Sequence, residues 1–132
     1  MKKIIMILSL ALSIVSADSL KWETSLDTAI LKAKVEKKNI MIMIESDNCR
    51  WCHKMHETTL LDPKVIKALA KYVPVKLNRD NPQLLKSFPA VAGVPTILFI
   101  APSKKVLATV LGYVETYDFM SYLKDASQAS KR

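Results

Sequence analysis

The sequence predicts an α/β domain in which a mixed sheet of four to five strands is flanked by helices. Residues 40–44 form a short run that is apolar on both faces and rich in isoleucine, which is typical of a central strand. Two later apolar runs, at residues 96–100 and 106–111, are separated by a turn-like linker and predict a hairpin. Segments with helical periodicity separate the strands, and this alternation places helices against the sheet.

The first helix is predicted from Ser25 to about residue 37. Serine is a favourable N-cap, and an apolar stripe at helical spacing follows it: Leu26, Ala29, Ile30 and Ala33. The helical pattern ends before the strand at residues 40–44. A polar turn at residues 47–48 then leads into a second helix at about residues 49–59.

An Asx–Pro pair begins each of the next two helices, because the Asx side chain caps the helix and proline fits its first turn. Asp62 and Pro63 start a helix that runs to about residue 71. Asn81 and Pro82 start a short helix that ends near residue 88. A second strand is predicted between them, at residues 73–77.

The C-terminal part contains the hairpin and a last helix. Residues 101–104 form the hairpin linker, and Gly112 ends its second strand. Thr116 is predicted to cap a helix that runs to about residue 126 and buries Phe119, Met120 and Leu123. The polar tail at residues 127–132 is expected to be frayed.

The first seventeen residues have the composition of a secretory signal segment. Two lysines give it a positive start, residues 4–15 are apolar apart from two serines, and Ala17 supplies the small residue before a cleavage site. A membrane-spanning helix needs roughly 20 apolar residues, so cleavage is favoured over the alternative of an uncleaved anchor. We therefore expect residues 1–17 to be a signal peptide, residues 18–132 a single domain, and the location exported and periplasmic.

The charge balance is basic, with 20 lysine and arginine residues against 12 acidic ones. Most of the cations lie on presumed helix surfaces, and no basic stripe is interleaved with aromatic residues that could stack on bases. A solvated basic face is therefore the favoured interpretation, and nucleic acid is not expected as a partner. We expect a monomer.

Cys49 and Cys52 are the only two cysteines of the chain. Two residues between cysteines allow one thiolate to attack an outside disulfide and the second to resolve it. If the helix begins at Cys49, that sulfur lies at the helix N-terminus, where unpaired N–H groups and the macrodipole favour a thiolate. A bridge across two residues stabilises an exported protein little, so the pair indicates redox work.

Two other kinds of site use the same spacing. Cys52 is followed by His53, which completes the C-x-x-C-H pattern of haem c attachment. The predicted strands disfavour haem, because cytochromes c of this size are mainly helical. Cys49, Cys52, His53 and His56 share one helical stripe, but a single straight helix rarely surrounds a zinc or copper ion. Both alternatives stay open on spacing alone, and we expect neither a cofactor nor a metal.

The chain resembles the thioredoxin superfamily over about residues 25–124. Three stretches carry the resemblance: Asp-Asn-Cys-Arg-Trp-Cys at residues 47–52, Val-Lys-Leu-Asn-Arg-Asp at residues 75–80, and Gly-Val-Pro-Thr at residues 93–96. Tryptophan before the second cysteine makes the first stretch most similar to exported thioredoxin-like proteins. The resemblance implies the thioredoxin fold and a thiol–disulfide oxidoreductase whose dithiol itself carries two electrons.

The resemblance also implies roles for individual residues. The family keeps a cis-proline that faces the disulfide, and Pro95 occupies its place. A cis bond there would turn the Val94 backbone outward, where it can pair with an incoming peptide as a short strand. Trp51, Val94 and Pro95 would then bind substrate, Cys49 would be the attacking thiol, and Cys52 would release the product.

Two departures from the family pattern affect the thiols. Thioredoxin carries a buried Asp six residues before the first cysteine, which helps to move the proton of the second thiol, and Met43 stands in that place here. Glu45 lies on the same strand face and is a candidate substitute, with an exposed strand-end carboxylate as the favoured alternative. The candidates for tuning the thiol pKa are Glu45, Arg50, His53 and Lys76.

The implied partners are protein substrates with disulfides or thiols, together with a membrane electron donor or acceptor. By analogy with thioredoxin alone, the similar stretch at residues 76–80 favours a disulfide reductase. A disulfide oxidase or isomerase of the same fold is the alternative, because a low pKa of the Cys49 thiol would make the disulfide a strong oxidant.

Overall fold

A computed structural model describes residues 19–132, and the predicted signal peptide at residues 1–17 lies outside this range. Five α-helices, one short 3-10 helix and four strands follow one another along the described chain. They are α1 (Leu26–Glu36), β1 (Asn39–Glu45), α2 (Arg50–Glu57), the 3-10 helix (Thr59–Leu61), α3 (Pro63–Leu69), β2 (Tyr72–Asn78), α4 (Pro82–Ser87), β3 (Thr96–Ile100), β4 (Val106–Leu111) and α5 (Thr116–Ser130).

The four strands form one mixed sheet in the order β2-β1-β3-β4. β1 runs parallel to β2 and antiparallel to β3, and β3 pairs with β4 as the predicted hairpin. Glu23, which belongs to no strand, forms a single parallel bridge with Val75 of β2. The sheet therefore has four strands and one bridging residue at the β2 edge. This is the predicted mixed α/β architecture of the thioredoxin fold.

The central strand is buried on both faces, as predicted. Because side chains alternate along a strand, Met41 and Met43 enter one core layer with residues of α2, α3 and α5. Ile40, Ile42 and Ile44 enter the opposite layer with residues of α1 and α4. All five of these side chains are fully buried. A rigid two-sided strand therefore leads into the cysteine loop.

Three predicted N-caps are confirmed by their hydrogen bonds. The Ser25 hydroxyl accepts a bond of 3.4 Å from the Thr28 N–H at the start of α1. The carboxylate of Asp62 accepts a bond of 2.8 Å from the Lys64 N–H, and the Asn81 side chain accepts one of 2.9 Å from the Gln83 N–H. Each cap satisfies a backbone donor that has no partner inside its helix.

The predicted helix at residues 49–59 is shorter than expected. α2 ends at Glu57, and a 3-10 turn follows it after Thr58. The cause is tertiary, because the hydroxyl of the buried Thr59 donates a bond of 2.7 Å to the carbonyl oxygen of Val114. This contact across 55 residues holds the chain away from a continuing α-helix.

The prediction for the last helix is wrong at both ends. Glu115, not Thr116, is the N-cap residue of α5, and the Thr116 hydroxyl instead donates to the Asp62 carboxylate at 3.2 Å. The tail predicted to fray is helical as far as Ser130. Its end is held because the Asn39 side-chain amide donates a bond of 2.8 Å to the Ser130 hydroxyl.

Candidate active site

The cysteine pair lies where β1 passes into α2. Asn48 adopts a left-handed backbone conformation with φ of 58°, which asparagine tolerates better than most residues. This turn leaves Cys49 extended at the N-cap of α2, and Cys52 lies in the first turn of the helix. The Cys52 N–H points at the Cys49 sulfur, 3.2 Å away. The sulfur therefore occupies the position of a capping acceptor.

Cys49 and Cys52 are joined by a disulfide, with their Cα atoms 5.2 Å apart. Cys52 is the more enclosed residue, 3% exposed against 8% for Cys49. After reduction, the Cys49 sulfur would face the backbone donors of the helix N-terminus. These donors stabilise negative charge on the sulfur.

The Val94–Pro95 peptide bond is cis. The Pro95 carbonyl accepts a bond of 2.8 Å from the Gly112 N–H, and the Thr96 hydroxyl donates one of 2.6 Å to the Gly93 carbonyl. The half-buried Val94 side chain packs against the core cluster that contains both cysteines. The structure thus brings the Gly-Val-Pro-Thr stretch against the layer that holds the disulfide.

Glu45 does not have the exposed strand-end position favoured from the sequence. Its carboxylate contacts Nε2 of His56, in the last turn of α2, and the two side chains are 20% and 25% exposed respectively. His56 is therefore half-buried and paired. The pair links the end of β1 to α2 across the loop that carries Cys49.

Two further side chains extend this pair. The Trp22 ring meets the His56 ring edge-on, with centroids 5.4 Å apart. Nζ of Lys76, on β2, lies 5.7 Å from the centroid of Trp22. The structure therefore places two tuning candidates, Glu45 and Lys76, at opposite ends of one cluster, with His56 and Trp22 between them. His53 instead lies exposed on α2.

A second group of side chains projects outward from α2. Trp51 is 44% exposed and stacks obliquely on Tyr113, with ring centroids 5.7 Å apart. The Arg50 guanidinium lies 5.1 Å from the Trp51 centroid. Nζ of Lys54 lies 5.1 Å from the Trp51 centroid and 4.7 Å from that of Tyr113. We call these four residues the basic-aromatic patch.

Two titratable groups elsewhere have shifted pKa values. A hydrogen bond and charge attraction from Glu23 raise the pKa of Lys32, and burial raises the pKa of Tyr72. Tyr72 packs edge-on against Phe99, with centroids 5.2 Å apart. Within residues 19–132, no group of three or more histidine, cysteine or acidic residues is arranged to hold a metal ion.

A thioredoxin fold with a cysteine pair at the start of α2 defines a thiol–disulfide oxidoreductase. The sequence model of the thioredoxin-like domain family matches residues 26–127, and the chain belongs to this family. The thiol:disulfide interchange protein DsbD of Colwellia psychrerythraea is 26% identical over 117 residues. That match covers 80% of this chain but only 19% of DsbD, so the chain spans about a fifth of its relative.

Solved structures show the same fold. A thioredoxin from Thermus thermophilus superposes with a TM-score of 0.72 at 25% identity, and the match covers 83% of this chain and 88% of the thioredoxin. The oxidised C-terminal domain of DsbD from Neisseria meningitidis gives a TM-score of 0.65 at 20% identity, covering 80% of this chain and 99% of that domain.

Sequence reasoning missed the partners of the predicted site residues. His56 follows Cys52 by four residues, and this spacing predicts that the two lie on the same face of a helix. No pattern in the neighbouring sequence predicts the contact of His56 with Glu45. Tyr113 is 62 positions beyond Trp51 and carries no motif of its own. Tyr113 lies in the loop between β4 and α5, and only the tertiary fold brings that loop against Trp51.

Proposed function

We propose that this protein is an exported disulfide reductase that exchanges disulfides with protein substrates. The observation that carries the proposal is the placement of Cys49 as the N-cap of α2, with the more enclosed Cys52 bonded to it. This arrangement supports one attacking and one resolving thiol. The proposal adds two specifics to the oxidoreductase activity of the family: the reaction runs towards reduction of the substrate, and the substrates are proteins with disulfides.

The reaction starts from the reduced dithiol. The Cys49 thiolate attacks one sulfur of a substrate disulfide, which forms a mixed disulfide and releases the other substrate sulfur as a thiolate. Cys52 then loses its proton and attacks the Cys49 sulfur. The substrate leaves with both of its sulfurs reduced, and the Cys49–Cys52 disulfide holds the oxidation that the substrate has lost.

Substrate docking is assigned to Trp51, Val94 and Pro95. Trp51 offers an exposed ring beside the disulfide, and Val94 packs against the layer that contains it. An extended substrate segment that pairs with the Val94 backbone would bring its cysteine to the Cys49 sulfur. Arg50, exposed on α2, adds a cationic group that would favour the Cys49 thiolate, and the exposed His53 would do so in its protonated form.

A reductase outside the cytoplasm has to be reduced again after each cycle, so the proposal includes a membrane electron donor. The similarity to a thiol:disulfide interchange protein supports this exchange chemistry. Export by a signal peptide at residues 1–17, a single domain at residues 18–132 and a monomeric state complete the proposal. Among the described residues, none of the helices has the length and apolarity that crossing a bilayer requires.

Trapping of mixed disulfides tests the assignment of the two thiols. The Cys52→Ala variant should accumulate covalent complexes with disulfide-containing proteins, and Cys49→Ala should accumulate far fewer. Equal trapping by both variants, or greater trapping by Cys49→Ala, would overturn the roles. Alkylation of both variants before mixing is the control, because it must abolish all complexes.

The direction is tested by equilibrating the Cys49–Cys52 pair with glutathione. A reductase should lie near the thioredoxin potential of about −270 mV, whereas a strong oxidant such as DsbA lies near −120 mV. A potential close to that of DsbA would overturn the reductase and indicate an oxidase instead. Export is tested separately, by N-terminal sequencing of the secreted chain, which should begin at Asp18.

A further inference from the structure

The basic-aromatic patch is built around the first turns of α2. Arg50 directly follows Cys49, and Lys54 lies four residues later on the same side of the helix. Trp51 contacts both cations, and Tyr113 contacts Trp51 and Lys54. The Tyr113 hydroxyl also lies 3.4 Å from the Thr58 hydroxyl. Trp51 thus holds the Arg50 guanidinium, and both rings hold the Lys54 ammonium, on the helix that is capped by Cys49.

These two charges have no acidic partner in the described part of the chain. The ion pairs of residues 19–132 are Lys32–Glu23, Lys38–Glu36 and His56–Glu45, so neither Arg50 nor Lys54 has a carboxylate within 4.0 Å. Glu57, three residues after Lys54, also remains apart from it. Like charges one turn apart on a helix disfavour folding slightly. The patch therefore holds positive charge that local stability does not require.

We propose that the basic-aromatic patch selects substrates that carry an acidic side chain next to the reactive cysteine. This inference rests on the proposed function, because the substrate cysteine has to approach the Cys49 sulfur. A carboxylate on the incoming segment would then meet the Arg50 guanidinium and the Lys54 ammonium. The partner class is an extended, acidic protein segment that contains a disulfide.

The rings explain why these cations can discriminate between substrates. Long side chains on a surface normally lose rotamer freedom when they form an ion pair, which cancels much of the gain. Contacts with Trp51 and Tyr113 restrict Lys54 before substrate arrives, so less freedom remains to be lost. A positive substrate side chain would instead meet repulsion at the same place.

The test uses three synthetic peptides whose single cysteine is joined to 2-mercaptoethanol in a mixed disulfide. The residues beside that cysteine are glutamate, glutamine or lysine, and the peptides are otherwise the same. Reduced protein converts each peptide to its thiol and itself becomes oxidised. The rate of reduction by dithiothreitol, a neutral small dithiol, normalises each peptide for the intrinsic reactivity of its disulfide.

We expect the normalised rate constant to be about tenfold higher for the glutamate peptide than for the lysine peptide at low salt. Because exposed charges are screened, the ratio should fall towards one at about 0.5 M salt. The double variant Arg50→Gln, Lys54→Gln should bring the low-salt ratio close to one. A difference between this variant and the wild type in the rate with the neutral glutamine peptide measures any separate effect of the two changes on the reactivity of the Cys49 thiol.

The matched control is the double variant Lys34→Gln, Lys64→Gln, which removes two exposed charges from α1 and α3. It should keep the wild-type ratio. A wild-type ratio within twofold of one, or an equal loss of the ratio in the control, would overturn the patch as a selective surface.

The outcomes also separate this inference from the proposed function. Equal normalised rates with all three peptides would overturn the proposal that the patch selects substrates, but would not contradict the proposed reductase function. Failure to reduce any peptide, together with failure to reduce the neutral 2-hydroxyethyl disulfide, would overturn both.

Discussion

The contact between Glu45 and His56 should stabilise the active-site loop, and a double-mutant cycle can measure how much. The pair joins the end of β1 to α2 on either side of Cys49, with 20% and 25% of the two side chains exposed. Fully exposed pairs contribute about 0.2–1 kcal/mol, and loss of one partner from a fully buried pair costs about 3–5 kcal/mol. The intermediate burial of this pair leads us to expect a coupling free energy of about 1–2 kcal/mol.

The cycle compares the oxidised wild type with Glu45→Gln, His56→Gln and the double variant by urea unfolding. Each single variant should lose about 1–2 kcal/mol of unfolding free energy, and the double variant should lose about the same amount. The single changes should lower Tm by roughly 4 °C per kcal/mol in a domain of this size. The more exposed pair of Glu36 and Lys38, with 3.6 Å between its charged atoms, is the control. Its coupling should stay below about 0.5 kcal/mol.

The same variants test whether the pair also serves the reaction. His56 lies four residues after Cys52 on the stripe of α2 that carries both cysteines. We expect both single variants to release mixed disulfides several-fold more slowly, while alkylation of the Cys49 thiol keeps its rate. Stability losses that add within about 0.5 kcal/mol would refute the coupling. An unchanged release rate would restrict the pair to a structural role.

Three further predictions concern the cysteines, the sheet and the hairpin. The helix N-terminus should stabilise the Cys49 thiolate by about 0.3–2 kcal/mol, which raises its thiolate fraction about 2- to 30-fold. Iodoacetamide should therefore label Cys49 before Cys52 near neutral pH. Burial raises the pKa of Tyr72 above 10.0, so its stabilising contribution is lost as pH rises through its folded-state pKa. Urea midpoints of Tyr72→Phe should accordingly decline less than wild type at alkaline pH. Gly112 has φ of 81° with open space around it, so Gly112→Ala should cost about 1–2 kcal/mol by calorimetry, and Gly112→Asn less.

Features set by local chemistry were predicted closely from the sequence. The bounds of β3 and β4 agree with the predicted strands. The apolar runs, the polar linker and the terminal glycine that define this hairpin all lie within the segment itself, so no distant contact is needed to predict it. The caps Ser25, Asp62 and Asn81 were found for the same reason, since each bonds within three residues of itself. The position of Cys49 at the start of α2 likewise followed from its own segment.

Features set by distant contacts could not be predicted in the same way. The end of α5 depends on a bond between Asn39 and Ser130, which are 91 residues apart, whereas the polar composition of the tail alone favours fraying. The burial of Glu45 depends on how α2 packs after the cysteine turn. A single sequence shows which residues are able to pair, but not which of them the fold brings together.

Met43 and Glu45 lie on the same face of β1, one beneath the disulfide and the other at the end of the strand. Met43 is fully buried in the cluster that contains both cysteines, so β1 supplies no carboxylate where thioredoxin carries its buried Asp. Glu45 is two residues further along the same face, about 6.6 Å at 3.3 Å per residue, where the strand reaches the surface. There it is paired with His56, on the helix that carries Cys52. A carboxylate at this strand end avoids much of the desolvation cost that burial beneath the disulfide would impose, and its contact with His56 ties it to the helix that carries Cys52.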